Sequence, residues 1–124
     1  MEPVHEISCQ AITEAVRRLF IEANTELPSD VLEAVLRARE TEVSIPARAI
    51  LDQILDNAET ARREKLPLCQ DTGLALVFVE IGQDVRVVGG DFSAAIQEGV
   101  RQAYREGYLR KSVCDPLSRA NTGD

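Results

Sequence analysis

The sequence predicts an α+β fold: a helical N-terminal half, a β-hairpin, one further helix, and a C-terminal segment that no packing element closes. Three observations lead there. Apolar residues recur at three- to four-residue spacing through the first half of the chain. At residue 74 the period changes, and "LALVFVEI" runs almost continuously apolar. After the next helical stretch, "GYLRKSVCDPLSRANTGD" is interrupted throughout by Gly, Pro, Asn and Asp. Helices first and strands later, rather than strict alternation, is the order of an α+β protein.

Ile12, Val16, Leu19, Phe20, Ala23 and Leu27 form one apolar stripe and predict a first helix. "LPSD" ends it. Asp30 with Glu33 has the form of a capping box for a second helix, whose core face would be Val31, Leu32, Val35 and Leu36. Ser44 as cap and Pro46 in the first turn start a third. Ala47, Ile50, Leu51, Ile54, Leu55, Ala58 and Ala61 keep its helical spacing, and it is expected to end near Lys65 because Pro67 cannot continue it. The run at 74–81 is short, apolar and rich in Val and Phe, which predicts a strand covered on both faces. "GQD" then reads as a turn and "VRVV" as a second strand, so 74–88 is expected to be an antiparallel hairpin. "GGD" leads into a helix with Phe92, Ala95, Ile96, Gly99, Val100 and Ala103 on one face.

A length of 124 residues fits a single domain spanning 1–124. With 44% hydrophobic and 28% charged residues, a soluble globular protein is the expectation. The formal net charge of −7 argues against nucleic acid and anionic membrane as partners, since both need basic surface. A small anionic substrate would need a local Arg or Lys against that field. The longest apolar run is far short of a membrane span. Cys9, Cys69 and Cys114 lie far apart, and an odd number without a signal peptide points to a reducing cytoplasm rather than a disulfide scaffold.

The chemistry centres on "KLPLCQDTGLALVFVEIG", where Cys69 precedes the apolar run. Four readings of Cys69 stand side by side. It is a buried structural cysteine, the commonest fate of a lone Cys. It is a nucleophile, which needs a base, and the only histidine is His5 on the polar N-terminal edge. It is a zinc ligand, which normally requires a close pair such as CxxC that this chain lacks. Or it is one ligand of an iron–sulfur cluster whose other ligands lie elsewhere. Gln70 and Asp71 place an amide and a carboxylate within two residues of the sulfur, and Gly73 permits backbone geometry closed to other residues. A polar group on a loop beside a rigid element is how sites are commonly built; the plainer reading of Asp71, Thr72 and Gly73 is a turn feeding the strand. Cys9 falls on the apolar stripe of the first helix and reads as core. Cys114 could pack where any small apolar residue would. Arg110 is most simply a helix-end cation; its sharper reading is a carboxylate clamp, because a planar guanidinium binds carboxylates bidentately.

"LPLCQDTGLALVFVEIGQDV", "GVRQAYREGYLRKSV" and "DPLSRANTGD" together resemble the α subunit, or N-terminal portion, of the class I iron–sulfur fumarate hydratases, a family that includes L-tartrate dehydratase. The resemblance implies a hydro-lyase that reversibly hydrates fumarate to L-malate at a [4Fe–4S] cluster. It implies three cysteine ligands and an open iron that binds the substrate's carboxylate and hydroxyl. Cys69 matches the first cluster cysteine, Gln70 and Asp71 match residues that contact substrate, and Asp71 matches a candidate proton donor. Arg110 matches an arginine that binds a substrate carboxylate. Cys9 and Cys114 match no ligand and are left structural. Nearby thiolates and a dicarboxylate substrate would favour the protonated form of Asp71, in keeping with a role as acid.

The resemblance also sets expectations about what lies outside the chain. The other two cluster cysteines would lie beyond Asp124, and the general base would belong to a β subunit or β domain. The chain is therefore expected to be the front part of an α-type domain, inactive alone, in a homodimer or an α/β assembly. The rival readings are an L-tartrate dehydratase α subunit and a non-catalytic fragment or interaction domain.

Overall fold

The computed structural model describes residues 4–69 and 74–123. In chain order the elements are β1 (His5–Ser8), α1 (Cys9–Thr25), α2 (Ser29–Thr41), α3 (Ile45–Glu64), β2 (Val85–Val88) and α4 (Phe92–Glu106). The α+β class stands, with a helical N-terminal half. The chain divides into two compact units, residues 1–21 with 71–124, and residues 22–70.

The first unit is built on α1 and α4. Val16, Val100, Ala103, Tyr104 and Leu109 are its buried core, flanked by Ile12, Phe20, Ile21, Ala75 and Ile96. The stripe predicted for the first helix is therefore only partly used: Val16 is buried, while Leu19 is 56% exposed. The two helices approach closely at Gly99, where an added Cβ would lie 2.7 Å from the Thr13 carbonyl oxygen and 2.7 Å from Val16 Cβ. Thr13 Oγ1 also donates to the Ala95 carbonyl at 2.9 Å, tying the same turns together. Gly99→Ala should thus destabilise the fold. Alanine gains about 1 kcal/mol of helix propensity, but overpacking costs about 1–3 kcal/mol, and a clash with backbone cannot be relieved by turning a side chain. The expected outcome is a lower melting temperature by thermal denaturation; an unchanged or higher one would mean the helices stand further apart. Asp91 caps α4, its Oδ1 accepting from Ala94 N–H at 2.7 Å, which satisfies one of the helix's open donors.

The expected antiparallel hairpin at 74–88 is not formed. β2 pairs instead with β1, in parallel, with His5 opposite Val85 and Ser8 opposite Val88. Residues 74–81 have no regular secondary structure, and they are not covered on both faces: Leu74 is 69% and Phe78 94% exposed. The physical reason is pairing. A strand needs a neighbour for its N–H and C=O groups, and among the described residues none runs beside 74–81 as a ladder. The inner side of this run instead borders an apolar cleft of 280 Å³, with Ile12, Val16, Val87 and Ile96 on its other walls.

The second unit contains α2 and α3, which pack on one another, and a bond from Arg39 Nε to Asp52 Oδ1 at 2.8 Å links them on the surface. The predicted capping box is absent: Pro28 occupies the cap position of α2 without a side-chain bond, and Glu33 pairs with Arg37 one turn on, at 3.6 Å. Of the four residues expected on the core face of α2, Leu32 and Val35 are half-buried and Val31 and Leu36 exposed. Ser44 takes the cap position of α3 and Pro46 its first turn as expected, again without a side-chain cap bond. Lys65 ends α3 at φ 53°, in the left-handed region, and Leu66 N–H reaches back to the Ala61 carbonyl at 3.1 Å. That six-to-one bond around a left-handed residue is a Schellman-type stop.

Candidate active site

Cys69 lies four residues beyond that helix stop. Between them, Leu68 turns into the small core of the second unit with Ala58, Ala61 and Leu27, and its N–H donates to the Asn24 carbonyl at 2.8 Å. The next amide is held by another helix: Cys69 N–H donates to Asn57 Oδ1 of α3 at 3.0 Å. Lys65 Nζ adds a link to the Glu26 carboxylate, and that ion pair holds the carboxyl of Glu26 below its usual range. The outcome is a cysteine whose backbone is tied while its side chain is exposed as a free thiol. Among the described residues, Cys69 is exposed rather than buried in a core. Gln70 and Asp71, the other residues expected at this site, lie outside the described residues.

Arg110 belongs to the other unit. α4 ends at Glu106, with Arg105 as the cation of its last turn, so Arg110 stands beyond the helix rather than at its end. Tyr108 adopts φ 54°, and Leu109 N–H reaches the Tyr104 carbonyl at 3.1 Å, a second Schellman-type stop with a non-glycine residue in the left-handed position. Leu109 is buried in the core, which fixes the chain one residue before the exposed guanidinium-bearing Arg110.

The segment after Arg110 forms a loop tied by its own hydrogen bonds. Cys114 and Asn121 form an isolated antiparallel bridge, and Asn121 Nδ2 donates to the Lys111 carbonyl at 2.8 Å, tying the loop to the neighbour of Arg110. Asp115 organises the turn: its Oδ1 accepts from Ser118 N–H at 2.7 Å, Ser118 Oγ at 2.9 Å and Leu117 N–H at 3.0 Å. The backbone and hydroxyl donors of Ser118, with Leu117 N–H, hold the carboxyl below its ordinary value of 3.8. A depressed carboxylate contributes order that is present above the ordinary value and lost as pH falls through the lower, folded one. The amide resonances of Leu117 and Ser118 should therefore keep their bonded shifts to below pH 3.8 and lose them on further acidification. Titration of those resonances at or above the ordinary value would contradict the turn.

Cys69 belongs to the second unit, Cys9 and Cys114 to the first. Cys9 is half-buried at the start of α1, where Gly90 leaves room for its sulfur: a Cβ there would sit 3.3 Å from Cys9 Sγ. Cys114 is exposed rather than packed as a small apolar residue. Among the described residues no group of three or more His, Cys, Asp or Glu side chains is arranged to hold a metal ion. The exposed Cys69 thiol fits the contribution of one thiolate ligand to a cluster. No helix among the described residues is long and apolar enough to cross a membrane.

Fold and site together define an α+β chain that presents a cysteine thiol from a tied loop. The profile described as Fumarate hydratase (Fumerase) matches residues 13–124, and the chain belongs to that family. It is 38% identical over 111 residues to a Methanocaldococcus jannaschii protein provisionally named L(+)-tartrate dehydratase subunit alpha, covering 89% of this chain and 39% of that one. It is 30% identical over 116 residues to a Geobacillus stearothermophilus protein provisionally named fumarate hydratase class I, covering 93% and 22%. It is 27% identical over 112 residues to the L(+)-tartrate dehydratase subunit alpha of Escherichia coli K12, covering 90% and 37%. The chain thus spans well under half the length of each of these relatives.

Proposed function

We propose that the chain is an α-type part of a hydro-lyase that reversibly hydrates fumarate to L-malate, with Cys69 as one thiolate ligand of a [4Fe–4S] cluster. The observation that carries the proposal is the exposed Cys69 thiol on a backbone tied by Asn57 and Leu68, at the head of "CQDTG" in a chain of this family. A metal–thiolate bond needs a ligand that is both accessible and steady, and this loop offers both. The family resemblance gives Cys69 one of three ligand places, and the other two ligands would come from elsewhere in the working assembly. The names of two relatives as alpha subunits favour a β-type partner in that assembly, and the cytoplasm suits a cluster that needs reduced thiols.

When bound, the cluster supplies a Lewis-acidic iron toward the substrate's carboxylate and hydroxyl. This chain's own residues would bind the substrate and supply the proton to carbon, while the base that takes the proton from water would come from the β-type partner. Arg110 clamps a substrate carboxylate through two parallel N–H donors. Gln70 orients the substrate by hydrogen bonding. Asp71, as a carboxylic acid, delivers the proton to carbon in the hydration direction and takes it back in dehydration.

A second reading is L-tartrate dehydration, favoured by the higher identity to the archaeal protein of that name. Both readings share the cluster and the proton donor. The test of the proposal is iron and acid-labile sulfide content in the anaerobically reconstituted assembly that contains this chain. An oxygen-sensitive cluster chromophore is expected; a correctly folded assembly that takes up neither iron nor sulfide would leave an interaction domain as the better reading.

A further inference from the structure

Asn57 sits inside α3, a poor place for it by intrinsic preference. Asparagine competes with helix formation by bonding local backbone, and alanine is favoured there by roughly half a kcal/mol. Its side chain does not bond within its own helix through Oδ1. That oxygen instead accepts from Cys69 N–H at 3.0 Å, across twelve residues of sequence. Burial does not demand the bond, because Cys69 is exposed and water could satisfy its amide. What the bond does is directional. Leu68 is already fixed by its buried side chain and by the Asn24 carbonyl of α1. The Asn57 bond fixes the following peptide plane as well, from α3. Two consecutive amides are thus held by two helices, and rotation about the backbone bonds leading into Cys69 is restrained.

We propose that Asn57 is a positioning residue that holds the Cys69 backbone so that the thiol is offered from a fixed point. The proposal rests on the reading of Cys69 as a cluster ligand for its purpose, though not for its geometry. A metal site gains from ligands fixed before binding, since residues that orient the first ligands raise affinity in their own right.

The experiment measures the exchange rate of the Cys69 amide by NMR on the full chain, in the wild type, Asn57→Ala and Asn57→Asp, with melting temperature as a control for folding. Alanine keeps or improves the helix and removes the acceptor. Aspartate keeps an acceptor oxygen in the same place. The expected result is exchange at Cys69 about five- to tenfold faster in Asn57→Ala, the worth of one hydrogen bond, and wild-type protection restored in Asn57→Asp. Unchanged exchange at Cys69 in Asn57→Ala, or equal acceleration in both variants, would overturn the proposal and leave Asn57 a helix residue only. The cluster reading fails separately: it falls if Cys69→Ser retains iron in the assembly, whatever the amide of Cys69 does in the Asn57 variants.

Discussion

If Cys69 is a cluster ligand as proposed, Cys69→Ser should leave the assembly without iron and without activity while the fold stays intact. The two halves of that expectation have different causes. Serine's hydroxyl is a harder and far less acidic ligand than a thiol, so it cannot replace a thiolate toward iron at neutral pH. The fold should survive because the Cys69 side chain is exposed and its one described bond is made by the backbone N–H to Asn57, which serine keeps. Iron content and melting temperature, measured on the same preparation, separate the two. Full iron with full turnover would remove Cys69 from the ligand set. A large fall in melting temperature would return it to a structural role.

Asp71→Asn and Arg110→Lys should fail in different kinetic constants. Asparagine preserves the size of Asp71 and removes the acid. If Asp71 transfers a proton in the transition state, kcat should fall by about 10²–10⁴-fold. Lysine at 110 keeps the charge and loses the planar fork. A carboxylate clamp should then lose about 1–3 kcal/mol, the worth of a charge-assisted hydrogen bond, and the loss should appear mainly as raised KM if ground and transition states are held alike. Arg110 is exposed just past a buried Leu109, and if it faces a solvent-filled site its substitution should move the melting temperature little. Normal kinetics in both variants, with a large drop in melting temperature, would make Asp71 a turn former and Arg110 a structural charge, and the assigned roles would be withdrawn.

The helices were legible because their signals are local. Pro67 forecast the end of α3, and the chain stops that helix at Lys65. Pro46 and Ser44 forecast its start. Side-chain caps were less legible: Asp30 and Glu33 have the spacing of a capping box, yet Glu33 pairs with Arg37. Pairing of strands was not legible. β1 is four residues long and joins β2 across most of the sequence, a contact that no local period encodes. The run at 74–81 taught the complementary lesson. Apolar composition states what environment a segment prefers, whereas a strand also requires a partner ladder, and none is described beside it. In the candidate site, Cys69 and Arg110 were singled out from their motifs. The Asn57 bond was missed because it joins a mid-helix polar residue to a loop amide. The usable clue was an asparagine at a position where helix propensity argues against one.

The central claim is most directly tested by turnover. The assembly containing this chain, reconstituted anaerobically, should convert fumarate to L-malate and L-malate back to fumarate, and should lose that activity on exposure to air. If the cluster forms but neither fumarate nor L-malate is consumed while L-tartrate is dehydrated, the substrate assignment passes to tartrate. If the cluster forms and none of these acids is converted, the account of the chain as part of a hydro-lyase is contradicted.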